Sequence, residues 1–128
     1  MADWSIKIVR VKNPNKELLA EFIADVRNAK PGTFDVETGD LVSWDNQCPE
    51  AHWPWPVASQ SAPPVDPLPP GSSPLSPTSI RPSASSDDYS VTAKTGTTIW
   101  YCCKLHPQER ARLVIVPFGR PPEGPPSV

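Results

Sequence analysis

"GTTIWYCCKLHPQERARLVIV", residues 96–116, reads as two strands joined by a short loop that carries unusual chemistry. β-Branched and aromatic residues fill both flanks, and Thr95-Gly96 supplies a turn just before them. Between the flanks, Cys103, His106 and Glu109 recur in steps of three. A turn that links two strands can direct a thiolate and an imidazole spaced in this way at one point. Cys-x-x-His alone arises often by chance, so its weight depends on what else the fold brings alongside.

The rest of the chain expects a strand-rich domain of 128 residues, enough for one core. In "WSIKIVRV" (4–11), Ile6 and Ile8 alternate with Lys7 and Arg10, as in a half-buried strand. Asn13-Pro14-Asn15 then reads as a helix start. "KELLAEFIADVRNAK" repeats apolar residues at Leu18, Leu19, Phe22, Ile23 and Val26, which predicts one short helix ended by Pro31-Gly32. Phe34 and Val36, a Gly39-Asp40 turn, and Leu41 to Trp44 follow as two short strands or one bent one. Of the nineteen prolines, ten fall between Trp53 and Ser86, which excludes sheet interior there. Residues 57–86 are expected to be a long Pro/Ser-rich loop, extended and polyproline-like or mobile, and more a solvated linker than a binding surface. The expected organisation is a single domain over 1–118 with a frayed Pro-rich tail over 119–128. Several short strands with turn signals and one helix make a small β-sandwich.

A net charge of −2, with no long basic run, disfavours nucleic-acid binding. No apolar stretch approaches a membrane span, and the start has no signal-peptide pattern, although a leader absent from the numbering would leave no trace. Three cysteines, Cys48, Cys102 and Cys103, cannot all pair within one chain. Cys102 should face away from Cys103 by strand alternation. Cys48 could reach a metal, form a disulfide with Cys102, or simply be buried.

The second chemical stretch is "GDLVSWDNQCPEAHWPWP", residues 39–56, where His52 follows Gly39 by 13 positions. With His52 beside the first loop, the donors are two nitrogens, a thiolate and a carboxylate. That mixture suits copper or zinc, and a His₂Cys plane with a weak axial ligand is a geometry used for electron transfer by copper. In isolation, each residue also has an ordinary reading: His52 in an exposed loop, Cys103 as a buried thiol, and Glu109 as a solvated carboxylate beside Arg110 and Arg112.

Both stretches resemble the cupredoxins, the plastocyanin and amicyanin group of small blue copper proteins. "FDVETGDLVSWDN" running to His52 is similar to that family's strand, Gly-Asp turn, strand ending in Asn, and first ligand histidine. "GTTIWYCCKLHPQERARLVIV" is similar to its Gly-Thr turn, aromatic strand, Cys-x-x-His-Pro loop and closing strand. Together they cover about a third of the chain, in the family's order. The resemblance implies an all-β Greek-key sandwich binding one copper ion through His52, Cys103 and His106. It also implies one-electron transfer to a transient protein partner, a monomer, no enzymatic turnover, and a periplasmic or other extracytoplasmic setting.

Glu109 stands where the family has its axial methionine, and Met1 is the only methionine in the chain. A carboxylate there is the expected fourth ligand; it favours Cu(II) over Cu(I) and makes zinc a plausible occupant. Trp53 replaces a small polar residue, and Ala111 a glycine. Trp53 or Trp55 is expected to close one end of the sandwich by ordinary packing; the functional alternative is that Trp55, Leu105 and Pro107 form an apolar docking patch around His106. The rival functions are a copper or zinc carrier or sensor, and a metal-free interaction module that presents the Pro-rich loop.

Overall fold

The computed structural model describes residues 3–14, 18–24 and 31–117. Eight strands occupy them: β1 (Asp3–Arg10), β2 (Ala20–Ala24), β3 (Thr33–Val36), β4 (Leu41–Asn46), β5 (Pro54–Pro56), β6 (Tyr89–Ser90), β7 (Thr98–Cys103) and β8 (Arg110–Ile115). They form two four-stranded sheets, ordered β2-β1-β4-β6 and β3-β8-β7-β5. Each sheet is mixed, because β1 runs parallel to β4 and β3 parallel to β8 while the other pairs are antiparallel. Among the described residues there is no helix, and so none long and apolar enough to cross a membrane.

Period-two alternation builds the core. β1 turns Trp4, Ile6 and Ile8 inward, β4 turns Val42 and Trp44, and β3 and β8 answer with Phe34, Val36, Leu113 and Ile115. Tyr101 of β7 fills the centre, packing edge-on to Phe22 and Trp44 at centroid distances of 5.0 and 5.6 Å. Its hydroxyl accepts the Trp44 indole N–H at 3.2 Å, so both polar tips are satisfied inside the sandwich. Gly39 takes φ +99° in the turn between β3 and β4, a conformation for which a side chain is costly.

The helix expectation is corrected where the structure can test it. Ala20–Ala24 is a strand paired antiparallel to β1, with Ala20, Phe22 and Ala24 facing the core. "AEFIA" fits a period of two as well as a helical face, and the free edge of β1 offers its backbone groups to whichever segment is extended. Residues 15–17 and 25–30 of the expected helix, and the expected tail at 119–128, lie outside the described residues.

The Pro-rich excursion is not a solvated linker. Leu75, Ser76 and Ile80 are buried, and its return leg is tied to β4 by Asn46 N–H to Ala84 O, Ser83 N–H to Asn46 O and Ser86 N–H to Trp44 O, at 2.8–3.0 Å. β5 shows how proline enters a sheet: Pro54 and Pro56 flank Trp55 on an edge strand, where a missing N–H does least harm.

Candidate metal centre

Two loops at one end of the sandwich deliver the chemistry. β4 ends at Asn46, whose buried amide Nδ2 donates to the carbonyls of Glu50, Ile80 and Arg81 at 2.9, 3.0 and 3.3 Å. Its Oδ1 accepts Cys48 N–H at 3.0 Å. One side chain thus closes the loop over 46–50 and fastens it to the excursion. His52 is then held by a reciprocal backbone pair with Ile80, N–H to O at 3.1 Å and O to N–H at 2.8 Å.

The second loop joins β7 to β8. Cys103 N–H donates to Glu109 O, His106 N–H to Cys103 O, and Glu109 N–H to His106 O, all within 3.1 Å. This compact turn puts three donor types on one side, as the spacing of three anticipated.

His52, Cys103, His106 and Glu109 converge, each offering one donor atom, with all four atoms within 4.8 Å of one another. Cys103 Sγ lies 3.7 Å from His52 Nδ1 and 3.5 Å from His106 Nδ1. Glu109 Oε1 lies 2.9 Å from His52 Nδ1 and 3.6 Å from His106 Nδ1. His52, Cys103 and Glu109 are buried, while the His106 side chain is 18% exposed. The Trp53 N–H donates to Cys103 Sγ at 3.3 Å.

Glu109 carries the test of whether a cation fits. Its Oε2 accepts two backbone N–H groups, from Leu19 at 3.0 Å and Ala20 at 2.9 Å. Its Oε1 is buried and has no hydrogen-bond partner, because the approach of His52 Nδ1 is close but lacks hydrogen-bond geometry. A buried carboxylate oxygen left bare is costly, and here it faces the same point as a sulfur and two ring nitrogens. A soft-to-borderline cation would satisfy all four.

Charge follows from this crowding. Burial opposes a charged His52, but the close approach of Cys103, Glu109 and Glu50 to its two nitrogens and the field of Glu109 outweigh it, pushing the imidazole up to about 10. Glu50, the partner of His52 on its far side, meets Nε2 at 2.7 Å and also pairs with Arg10 at 2.9 Å. Burial works against ionising Glu50, yet the hydrogen bond and charge of His52, with Arg10, hold it below the usual carboxylate range. Sequence reasoning missed Glu50. The only available signal was its place two residues before His52.

Cys48, Glu50 and His52 also come together on that far side. Cys48 is a poor ligand there: burial and the neighbouring Glu50 push its thiol up to about 12, and its Sγ donates to Ile8 O at 3.4 Å. Cys102 faces the opposite side of the sheet from Cys103, opposite Trp55 of β5, as alternation required. All three cysteines are free, so the Cys48–Cys102 disulfide does not form.

Trp55 is not part of an exposed patch. It is buried, donates Nε1–H to Val65 O at 2.8 Å, and is capped by Lys104, whose Nζ lies 3.9 Å from its ring centre and 3.0 Å from Asp66. Leu105, 48% exposed, and Pro107 do flank His106 at the surface.

Comparison with known proteins agrees at the level of fold. No family model and no curated protein matches the chain. Among solved structures, it is similar to a novel purple cupredoxin from Nitrosopumilus maritimus (13% identity, 87% of this chain and 97% of that one, TM-score 0.54). It is also similar to an oxidised amicyanin mutant (19% identity, 87% and 79%, TM-score 0.52) and to the reduced Cu(I) form at pH 4 of another (18%, 87% and 79%, 0.50). The chain therefore has the cupredoxin fold, and it carries a His-Cys-His-Glu cluster at one end of that fold.

Proposed function

We propose that this protein binds one copper ion through His52, Cys103 and His106, with Glu109 as fourth ligand, and exchanges single electrons with a transient protein partner. The observation that carries the reading is the bare, buried Oε1 of Glu109, aimed at the point where Cys103 Sγ and both Nδ1 atoms converge. Bound copper would supply a Cu(I)/Cu(II) couple. The chain supplies everything that keeps the couple fast and selective. Asn46 and the Ile80 pair hold His52, and the turn from Cys103 to Glu109 is closed by its own backbone, so the donors need little rearrangement between oxidation states. Three of the four donors are buried, and His106, between the exposed Leu105 and Pro107 in the chain, is the edge through which electrons would pass. The anionic fourth donor favours Cu(II), which lowers the reduction potential relative to a thioether.

A titration of the reduced, metal-free protein with Cu(II), followed by optical and EPR spectroscopy, tests the reading. An intense thiolate-to-copper charge-transfer band, absent in Cys103→Ala, is expected. Tight Zn(II) binding without that band would replace electron transfer by metal carriage, a reading the hard carboxylate of Glu109 would then favour. Binding of neither ion would leave a metal-free module.

A further inference from the structure

We propose that Glu50, braced by Arg10, is a positioning residue: it holds His52 with Nδ1 toward the donor set and, through its charge, tilts the centre toward the more positive oxidation state. This inference rests on the copper reading above.

The imidazole of His52 is wholly buried, and its two nitrogens face different worlds. Nδ1 points at Cys103 and Glu109, and Nε2 lies 2.7 Å from Glu50 Oε2. A carboxylate can only accept, so the proton of the neutral ring belongs on Nε2 and the lone pair on Nδ1. The other Glu50 oxygen, Oε1, is 2.9 Å from Arg10 Nη2, which stops the carboxylate from turning away. The Glu50 backbone is held as well, since its carbonyl accepts from Asn46 Nδ2. Ring, carboxylate and guanidinium thus form a continuous line from the donor set to the surface of β1.

A neutral acceptor would orient the ring equally well. What a carboxylate adds is a negative charge one ring-width from the ion, which makes the imidazole a stronger donor and stabilises Cu(II) more than Cu(I). The Glu50 side chain is 24% exposed and Arg10 38%, so solvent and the guanidinium moderate the field without abolishing it. The competing use of this corner, a second ion held by Cys48, Glu50 and His52, is disfavoured because both Glu50 oxygens are already engaged and one of them by a cation.

Glu50→Gln separates the two roles, since the amide oxygen can still accept from Nε2–H while the charge is gone. Cu(II) and Cu(I) affinities, measured by chelator competition, should show Cu(II) binding about tenfold weaker with Cu(I) nearly unchanged, equivalent to a rise of ~59 mV in reduction potential. Glu50→Ala, which also frees the ring, should lose about a hundredfold in Cu(II) affinity. Imidazole ¹⁵N spectra of the zinc-loaded wild type should place the proton on Nε2 and the metal on Nδ1. An unchanged Cu(II)/Cu(I) affinity ratio in Glu50→Gln, or metal on Nε2, would overturn this inference while leaving the copper reading intact. Wild-type protein that takes up neither copper nor zinc would overturn both.

Discussion

Replacing Glu109 by Met and by Gln makes a matched pair that isolates what Oε2 does for folding. Both substitutions remove the buried charge and keep nearly the same volume. Only Gln keeps an oxygen that can accept from Leu19 and Ala20. In Glu109→Gln the amide nitrogen takes the place of Oε1, 2.9 Å from His52 Nδ1. In Glu109→Met the two backbone donors lose their acceptor. The Ala20 amide is fully buried, so leaving it unpaired costs about 1–3 kcal/mol. The Leu19 amide is only partly buried, and water recovers most of its bond, leaving a cost of about 0.5 kcal/mol. The expected difference is roughly 1.5–3.5 kcal/mol, or about 6–13 °C in melting temperature for a domain of this size. Metal-free, reduced samples in chelator, melted side by side by circular dichroism, give the comparison. If Glu109→Met melts within about 2 °C of Glu109→Gln, the carboxylate does not anchor the start of β2 and the argument from its hydrogen bonds is wrong.

Three further outcomes are expected. Tyr101→Phe removes the acceptor of the buried Trp44 indole N–H while keeping both ring contacts, and should lower stability by about 1–3 kcal/mol in urea melts; an unchanged midpoint would contradict the 3.2 Å bond. Burial raises Cys48 to about 12 and Cys102 to about 11, so neither thiol should react with iodoacetamide at pH 8 until urea unfolds the chain, and rapid labelling of either by mass spectrometry would count against their placement. In the metal-free protein His52 is raised to about 10 from an ordinary 6.5, so its contribution is complete below pH 6.5 and is lost as pH climbs toward 10. Stability should therefore fall between pH 6.5 and 8.5, before free thiols ionise, with a slope approaching about 1.4 kcal/mol per pH unit, and a flat urea midpoint across that window would refute the raised imidazole.

The parts legible in the sequence were those governed by local periodicity and short spacing. Ile6 and Ile8 against Lys7, or Leu113 and Ile115 against Arg112, could hardly point any other way, and Cys103, His106 and Glu109 were close enough for one turn to gather them. His52 was legible through the resemblance of the stretch from Gly39 to the cupredoxin pattern. What escaped was decided by partners far along the chain. Ala20–Ala24 suits helix or strand, and the choice lies with the open edge of β1. Proline content correctly excluded sheet interior from 57–86 but said nothing of the hydrogen bonds that Asn46, Trp44 and His52 offer to residues 80–86. Glu109 was the expected fourth ligand, against the ordinary reading of a surface acid beside two arginines, but only the fold reveals that Leu19 and Ala20 bring their amides to it across about ninety positions.

β8 lies inside its sheet, between β3 and β7, and Cys103, His106 and Glu109 all belong to the segment that leads into it. Neither β3 nor the edge made by β5 and β7 can be joined until that strand arrives. A nascent chain on the ribosome therefore cannot enclose the proposed donor set until β8 emerges, and His52, made much earlier, must wait for it. On the proposed function, an ion could be held only once β8 is made and paired, and truncation a few residues into β8 is expected to leave a chain that neither closes nor captures a metal.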